Sequence, residues 1–501
     1  MAAIETDAPE ASAILLALPP LLLISWRLFS PQFVFAPQAI LYLDAARRVL
    51  AGEKLYTDFW DLCQPALLAL YSVPQWLSAF CDLALTTKLL VWLLLVASLT
   101  ATMFIVRVKP TNAVAPVSSP ALALAICCAN LAVCSQFGTV QHLFMLLLTP
   151  WLVLRIVTCE GVRSPVHIAL VMLAAAAAAL GCALDLPYLA VLLFCECFLL
   201  LRYGAIKVRQ LFIFAMALAL IFLFTILMDI SIWQGYFQWA MPLRLAKFSY
   251  FDGGLLGTTF PNHSNFLYFF AVVLLAAYYS GNRAQSSLRS LFAVLALSGL
   301  ALFIAEGDGL SYHIVIAVYG IVFLLVLSLI SLLKQTWQTA SAAIVLPLAI
   351  VAITAIPQAP ADLLASQTID NAILNLSEEG EQITVIAQYP DVAYSRISAL
   401  QRLPGSYLLN AMPLRLLHDL QLGQPLNDKQ FSCQAFLVAK ITENLASRKA
   451  TLVLLEAPRQ SELLRIYGLS KVLLDNYSPA GHCQAFAEPY GTTQFSVWRR
   501  K

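Results

Sequence analysis

Over the first 357 residues, long apolar runs alternate with short polar turns. A helix crosses the ~30 Å hydrocarbon core with about 20 apolar residues, at the low end about 17. Runs that meet this length lie at 12–30, 85–106, 120–137, 141–158, 167–184, 187–201, 211–230, 264–280, 290–305, 313–333 and 340–357, which makes about eleven spans. The segment 66–82 is apolar but short and carries Pro74, and it reads as a surface helix. After Pro357 polar residues return at ordinary soluble density. Short apolar runs at 383–387 and 451–455 read as buried strands, with helices at 434–445 and 460–467. The pattern therefore predicts a polytopic α-helical membrane protein with a small C-terminal α/β domain. The boundary falls between 1–357 and 358–501.

The first long polar interruption is the loop 31–84, and within it the stretch 37–65. This stretch holds Asp44, Asp58 and Asp61, the cations Arg47, Arg48 and Lys54, and the aromatics Tyr56, Phe59 and Trp60. Its first half reads as an amphipathic helix, with Asp44, Arg47 and Arg48 on one side and Ile40, Leu41 and Leu50 on another. Such a helix between two spans would lie along the bilayer surface.

Composition agrees: 60% of the 501 residues are hydrophobic and 12% charged, with a mean hydropathy of +0.78. Soluble domains carry about 25% charged residues. A net charge of +2 gives no footprint for nucleic acid. The N-terminus is acidic and lacks the basic start of a cleavable signal, so the first apolar run is expected to be retained.

Charge also sorts the loops. One alternating set carries Arg107 and Lys109, Arg155 and Arg163, Arg202, Lys207 and Arg209, Arg283 and Arg289, and Lys334. By the positive-inside rule these face the cytoplasm. The other set comprises 37–65, 135–142, Asp185-Leu186-Pro187, 231–262 and 306–313, and holds most of the loop carboxylates and histidines. With an odd number of spans, the C-terminal domain lies on that second side. Cys433 and Cys483 could pair there; no cysteine spacing matches a zinc site. Glu196 sits inside an apolar run between Cys195 and Cys197 with no partner evident from the sequence.

The candidate chemistry collects on the non-cytoplasmic side: Asp44, Asp58, Asp61, His142, Asp185, Arg244, Lys247, Asp252, His263, Glu306, Asp308, Tyr312 and His313. A carboxylate in a partly dry pocket can take a proton from a hydroxyl. Arginine and lysine at headgroup level suit a phosphate ester. Together they describe a place where a lipid-phosphate donor meets an acceptor. The bland readings are an ion pair within one helix for Asp44, solvated or capping carboxylates for Asp58 and Asp61, and interface anchors for Arg244 and Lys247.

Several motifs add a resemblance. Tyr42-Leu43, Ala45-Ala46-Arg47, Gly52, Leu55-Tyr56, Asp58, Pro65 and Leu67 stand at matching intervals in the first loop. Ser135-Gln136-Phe137-Gly138 with His142-Leu143 is similar to a "GQREHL" turn, and Gly307-Asp308-Gly309 with Tyr312-His313 to "GKGWxYH". This layout resembles the membrane-embedded glycosyltransferases of the GT-C class, in the branch of protein O-mannosyltransferases and lipid A aminoarabinose transferases. The resemblance implies a non-cytoplasmic active site, a polyprenyl-phosphate sugar donor and a glycan, lipid or protein acceptor. It also implies inverting transfer with a first-loop acid as base, and a bacterial inner (plasma) membrane location. Asp58 matches the pattern and is the first choice for the base, with Asp44 second. Gln38, Arg47, Arg48, Asp61, His142, Arg244, Lys247, Asp308, Tyr312 and His313 are the expected substrate contacts. A divalent metal ion is left open as cofactor. The chain departs from the pattern at Gln38, where the family's first aspartate is expected, at Val140-Gln141 for Arg-Glu, and at Asp308 for Lys. Those departures motivate an alternative, a non-catalytic relative that binds lipid-linked glycan. A lipid or glycan transporter is a third reading.

Overall fold

The computed structural model describes residues 8–31, 33–107, 119–160, 166–204, 207–249, 286–306, 311–332, 341, 344–351, 360–387, 391–423, 425–457, 459–487 and 491–501. In chain order the first helices are α1 (Ala8–Phe29), α2 (Pro37–Leu50), α3 (Pro65–Leu77), α4 (Leu83–Val106), α5 (Ser119–Ala132) and α6 (Val140–Cys159). They continue with α7 (Ile168–Leu184), α8 (Pro187–Tyr203), α9 (Val208–Met228), α10 (Ile230–Gly235) and α11 (Met241–Ser249). The chain divides into two compact units. One is Met1–Ala36, Leu77–Phe224 and Asp252–Ile356; the other is Pro37–Trp76, Thr225–Phe251 and Pro357–Lys501.

The first unit is a helix bundle. Among the described residues four helices are long and apolar enough to cross a membrane: α4, α6, α9 and the helix Ser286–Glu306. Shorter apolar helices lie within α1, α5, α7 and Val315–Leu332. Burial orders them: 83% of the apolar stretch of α6 is covered by protein, against 11% for α9. Helix α6 is therefore the inner element, packed on α4 and α7. Helix α9 turns Phe212, Leu220, Leu223, Phe224 and Leu227 outward, which suits lipid rather than water.

The helix Val315–Leu332 packs on α5 and on Ser286–Glu306. A Cβ at Gly320 would stand 2.9 Å from the Ala296 Cβ, so this crossing needs small residues on both sides. Polar glue joins three helices: Arg155 of α6 reaches Glu196 of α8 with Nε at 2.8 Å and Nη2 at 2.6 Å, and its Nη1 donates to Gln210 Oε1 of α9 at 2.6 Å. Glu196 thus has the partner that the sequence did not reveal.

Every predicted span outside the undescribed stretches falls on a helix. The span at 264–280 lies outside the described residues, and that at 340–357 is described only at 341 and 344–351, which are helical. The stretch 231–262, read as a loop, is helical up to Ser249 through α10, a π-helical turn (Tyr236–Ala240) and α11. Pro242 near the start of α11 is compatible with a helix, because proline is tolerated in the first turn.

The second unit is built on a five-stranded sheet of β1 (Gln382–Ile386), β2 (Leu403–Pro404), β3 (Leu452–Ala457), β4 (Tyr477–Ala487) and β5 (Gly491–Arg500), in the order β2-β1-β3-β5-β4. Strands β2, β1 and β3 run parallel, with Val385 opposite Leu454; β5 is antiparallel to β3 and to β4. The unbroken apolar runs of β1 and β3 reflect burial on both faces. The helix Pro360–Leu376 packs on β4, and the helix Asp391–Ala399 packs on α2. The second unit therefore takes in α2 and α3 from the first loop as well as residues beyond the 357/358 boundary drawn from the sequence. Cys433 and Cys483 are buried free thiols rather than a disulfide.

Candidate active site

The loop after α2 is wound into a tight knot. Lys54 O accepts the N–H groups of Thr57 and Asp58 at 3.2 and 2.8 Å, and Lys54 N–H donates to the Asp58 carboxylate at 2.8 Å. Tyr56 has a φ of +69°, uncommon for a bulky residue. Its N–H donates to Phe59 O at 2.6 Å and its hydroxyl to Cys63 O at 2.6 Å, which hold the strained turn. Its ring leaves no room on α10: a Cβ at Gly235 would stand 2.8 Å from the Tyr56 Cβ. Only glycine lets the two backbones approach this closely.

The knot is keyed to the sheet edge. Trp60 N–H donates to Tyr407 O at 2.8 Å and Leu409 N–H donates to Trp60 O at 3.0 Å, a one-residue parallel bridge. On its other side the same 403–411 segment bonds β1 through Gly405 N–H to Ile383 O and Ala411 N–H to Ala387 O. Arg48 of α2 is buried and reinforces the junction. It donates to Glu53 at 2.6 Å and to Ser406 O at 2.7 Å, and its guanidinium lies 4.4 Å from the centre of the Phe59 ring.

The three loop carboxylates end in different places. Asp58, the base expected from the sequence, is exposed, and one of its oxygens is engaged by the Lys54 N–H. Asp44 is 6% exposed; its Oδ1 accepts both Nε and Nη2 of Arg47, at 3.0 and 2.8 Å. Burial raises the Asp44 carboxyl above its ordinary acidity, with Arg47 opposing. Asp61 is 2% exposed and its Oδ1 accepts the Asn410 amide at 2.9 Å. Burial pushes it up to about 6 against the pull of the Leu62 backbone, Cys63, Arg244 and Asn410. Arg244 of α11 is close by, donating to Leu62 O at 3.3 Å.

Among the described residues, the Oδ2 atoms of Asp44 and Asp61 and the ring nitrogen of Trp60 are buried without a hydrogen bond. Buried polar atoms nearly always have partners, including water and ligand. Tyr394 of the helix Asp391–Ala399 is fully buried nearby, with Asp44, Arg48 and Asp61 as its charged neighbours and Ser406 beside it.

The second unit thus brings together Gln38, Asp44, Arg47, Arg48, Asp58, Asp61 and Arg244. Gln38 is buried in the first turn of α2. Lys247 lies on α11, but its side chain is outside the description. Four other described candidates, His142, Asp185, Glu306 and His313, belong to the first unit. His142 is fully buried: its Nδ1 accepts the Gly138 N–H at 3.4 Å, so its Nε2 donates to Asn130 Oδ1 at 3.1 Å, and its ring stacks on Phe137. These contacts brace the turn before α6. His313, in the turn Ser311–Ile314, lies 3.3 Å from Gln141 Nε2. The Tyr312 side chain, Asp308, Asp252 and His263 lie outside the described residues.

Sequence reasoning missed Asn410 and Ser406 as parts of this neighbourhood. The one available signal was Pro413 just inside a helix, which marks a helix start near 412 but says nothing of Asp61. Among the described residues no group of three or more His, Cys, Asp or Glu side chains could hold a metal ion.

No protein-family model and no curated protein matches the sequence. Solved structures do. ArnT from Cupriavidus metallidurans in the apo state matches with a TM-score of 0.52 at 11% identity, covering 98% of each chain. ArnT from the same organism bound to undecaprenyl phosphate matches with a TM-score of 0.48 at 11% identity, covering 96% of this chain and 97% of that one. The apo match extends over nearly the whole of both chains, so the fold is similar to that of ArnT.

Proposed function

We propose that this protein is a membrane glycosyltransferase. It moves a sugar from a polyprenyl-phosphate donor to a lipid-linked glycan or protein acceptor. The reading places the site on the non-cytoplasmic face of a bacterial inner membrane, on a frame of about eleven spans with an α/β domain on the same side. The observation that carries it is Asp61, a buried carboxyl with one oxygen held and the other without a hydrogen bond, beside Arg244. The ArnT-like fold supports the class of reaction, and the undecaprenyl phosphate held by ArnT supports the class of donor.

In the proposed step the acceptor hydroxyl attacks C1 of the sugar and its proton passes to Asp61 Oδ2. The C1–O bond breaks with its electron pair going to the polyprenyl phosphate, and C1 inverts. Arg244, and Lys247 one turn further along α11, supply positive charge for the departing phosphate. Asp44 is the second candidate for the base, since it is also buried with a free Oδ2. Asp58 is assigned to holding the Lys54 turn.

The test is transfer of label from a panel of polyprenyl-phosphate sugars in membranes containing the protein. Asp61→Asn, Asp44→Asn and Asp58→Asn run beside wild type. Turnover lost in Asp61→Asn at normal expression supports the reading. Donor bound but never consumed by wild type favours the non-catalytic relative, for which Gln38, Val140 and Gln141 speak at the family's charged positions.

A further inference from the structure

Asn410 occupies an unusual place for a surface-domain residue. It lies between two main-chain anchors: Leu409 N–H bonds the loop at Trp60 O, and Ala411 N–H bonds the sheet at Ala387 O, at 3.0 and 2.7 Å. Its Oδ1 accepts the Met412 N–H at 3.1 Å, at the start of the helix Met412–Gly423. Its Nδ2 donates to Asp61 Oδ1 at 2.9 Å. These two bonds fix which way round the amide sits. With the oxygen end turned to a backbone donor, only the NH₂ end can face the carboxylate; a flipped amide would set oxygen against oxygen and lose both bonds.

We propose that Asn410 is the positioning residue of the active centre: it locks the rotamer of Asp61 so that Oδ1 is held and Oδ2 is the single oxygen free to take a proton. The C-terminal segment then supplies a working part of the centre as well as its support. This inference rests on the reading of Asp61 as the base. The groups that face Asp61 are Tyr56, the Leu62 N–H and Cys63 from the loop, Arg244 from α11, and Tyr394 and Asn410 from the C-terminal segment. Leu62 N–H and Cys63, neighbours of Asp61 in the same loop, also favour its charged form, whereas Asn410 reaches the carboxylate from outside the loop with its amide oriented by the Met412 N–H on the sheet edge.

Two variants separate positioning from helix capping. Asn410→Asp keeps a good cap for the Met412 N–H but turns an acceptor toward Asp61. Asn410→Ala removes cap and donor together. The readout is the carbonyl stretch of protonated Asp61, taken as an infrared difference between each protein and its Asp61→Asn counterpart across pH 4–8 in lipid. The pH profile of kcat/KM for sugar transfer runs in parallel. Loss of a hydrogen bond to the charged form, or a second carboxylate beside it, should hold the Asp61 proton to higher pH by on the order of one pH unit. The acid limb of kcat/KM should move with it, lowering transfer at pH 6 roughly fivefold. Unchanged titration and an unchanged limb in both variants would overturn the assignment. If wild type transfers no sugar while the infrared titration still moves in Asn410→Asp, Asn410 keeps its role and the transferase reading falls.

Discussion

Asp44, Asp58 and Asp61 are the same side chain in three surroundings, and the surroundings decide what each can do. Asp58 is exposed and binds its own loop, Asp44 is buried against Arg47, and Asp61 is buried against a neutral amide. A carboxyl raised to about 6 has a definite effect on stability. Its protonated form is favoured by the fold, so its contribution is fully present below the unfolded value of 3.8 and is lost as pH rises through about 6. Asp61→Asn, neutral at every pH, should therefore match wild type near pH 4 and exceed it above pH 7, by about 3 kcal/mol at most. Thermal unfolding at the two pH values checks this. Wild-type kcat/KM should rise with pH through about 6 and level off, the profile of a base that must lose its proton before it works. The loop acids were legible in the sequence because charge stands out in an apolar chain. Which of them is dry was not legible, because Asp61's partner Asn410 comes from the far end of the chain.

At the scale of elements, periodicity found the helices, and residues distant in sequence set what they do. The stretch after α9, which holds Gly235, read as a loop because it lies between the apolar runs 211–230 and 264–280. In the fold that glycine is required by contact, with the Tyr56 Cβ and Cδ2 at 2.8 and 2.9 Å from any Cβ placed there. Gly235→Ala should cost about 1–3 kcal/mol by overpacking and should loosen the 54–63 turn, seen as faster amide exchange at Tyr56 and Trp60. Glu196 gives the membrane counterpart. A lone acid in an apolar run is a puzzle until α6 brings Arg155 to it, an ion pair with side-chain exposures of 2% and 13%. Glu196→Leu alone leaves a buried guanidinium unpaired and should destabilise by about 3–5 kcal/mol, whereas Arg155→Leu/Glu196→Leu should recover most of the loss. Thermal unfolding of the two single variants and the double variant in detergent measures the coupling.

For the whole molecule, the line that hydropathy draws at 357/358 follows composition, while compactness follows contact. The segment 37–76, polar over 37–65, reads as an interruption of the membrane domain. Its residues nevertheless fold with 225–251 and 357–501. Arg48 bonds Ser406, Trp60 bonds Tyr407 and Leu409, and Asp61 bonds Asn410. No reading of local pattern could reveal these pairings, because each joins segments hundreds of residues apart. They do make a cooperative unit testable. Leu454 is fully buried at the centre of β3, between Val385 and Val497. Leu454→Ala should cost about 2–5 kcal/mol, and a unit that opens as one should pass that loss to every amide it protects. Exchange at Trp60 N–H, in the first loop, should then quicken by the same factor as exchange at Val385 and Val497, with α6 amides of the first unit as the internal reference. A Trp60 amide that follows α6 instead would mean that the loop belongs energetically to the membrane bundle, and that the sheet edge only touches it.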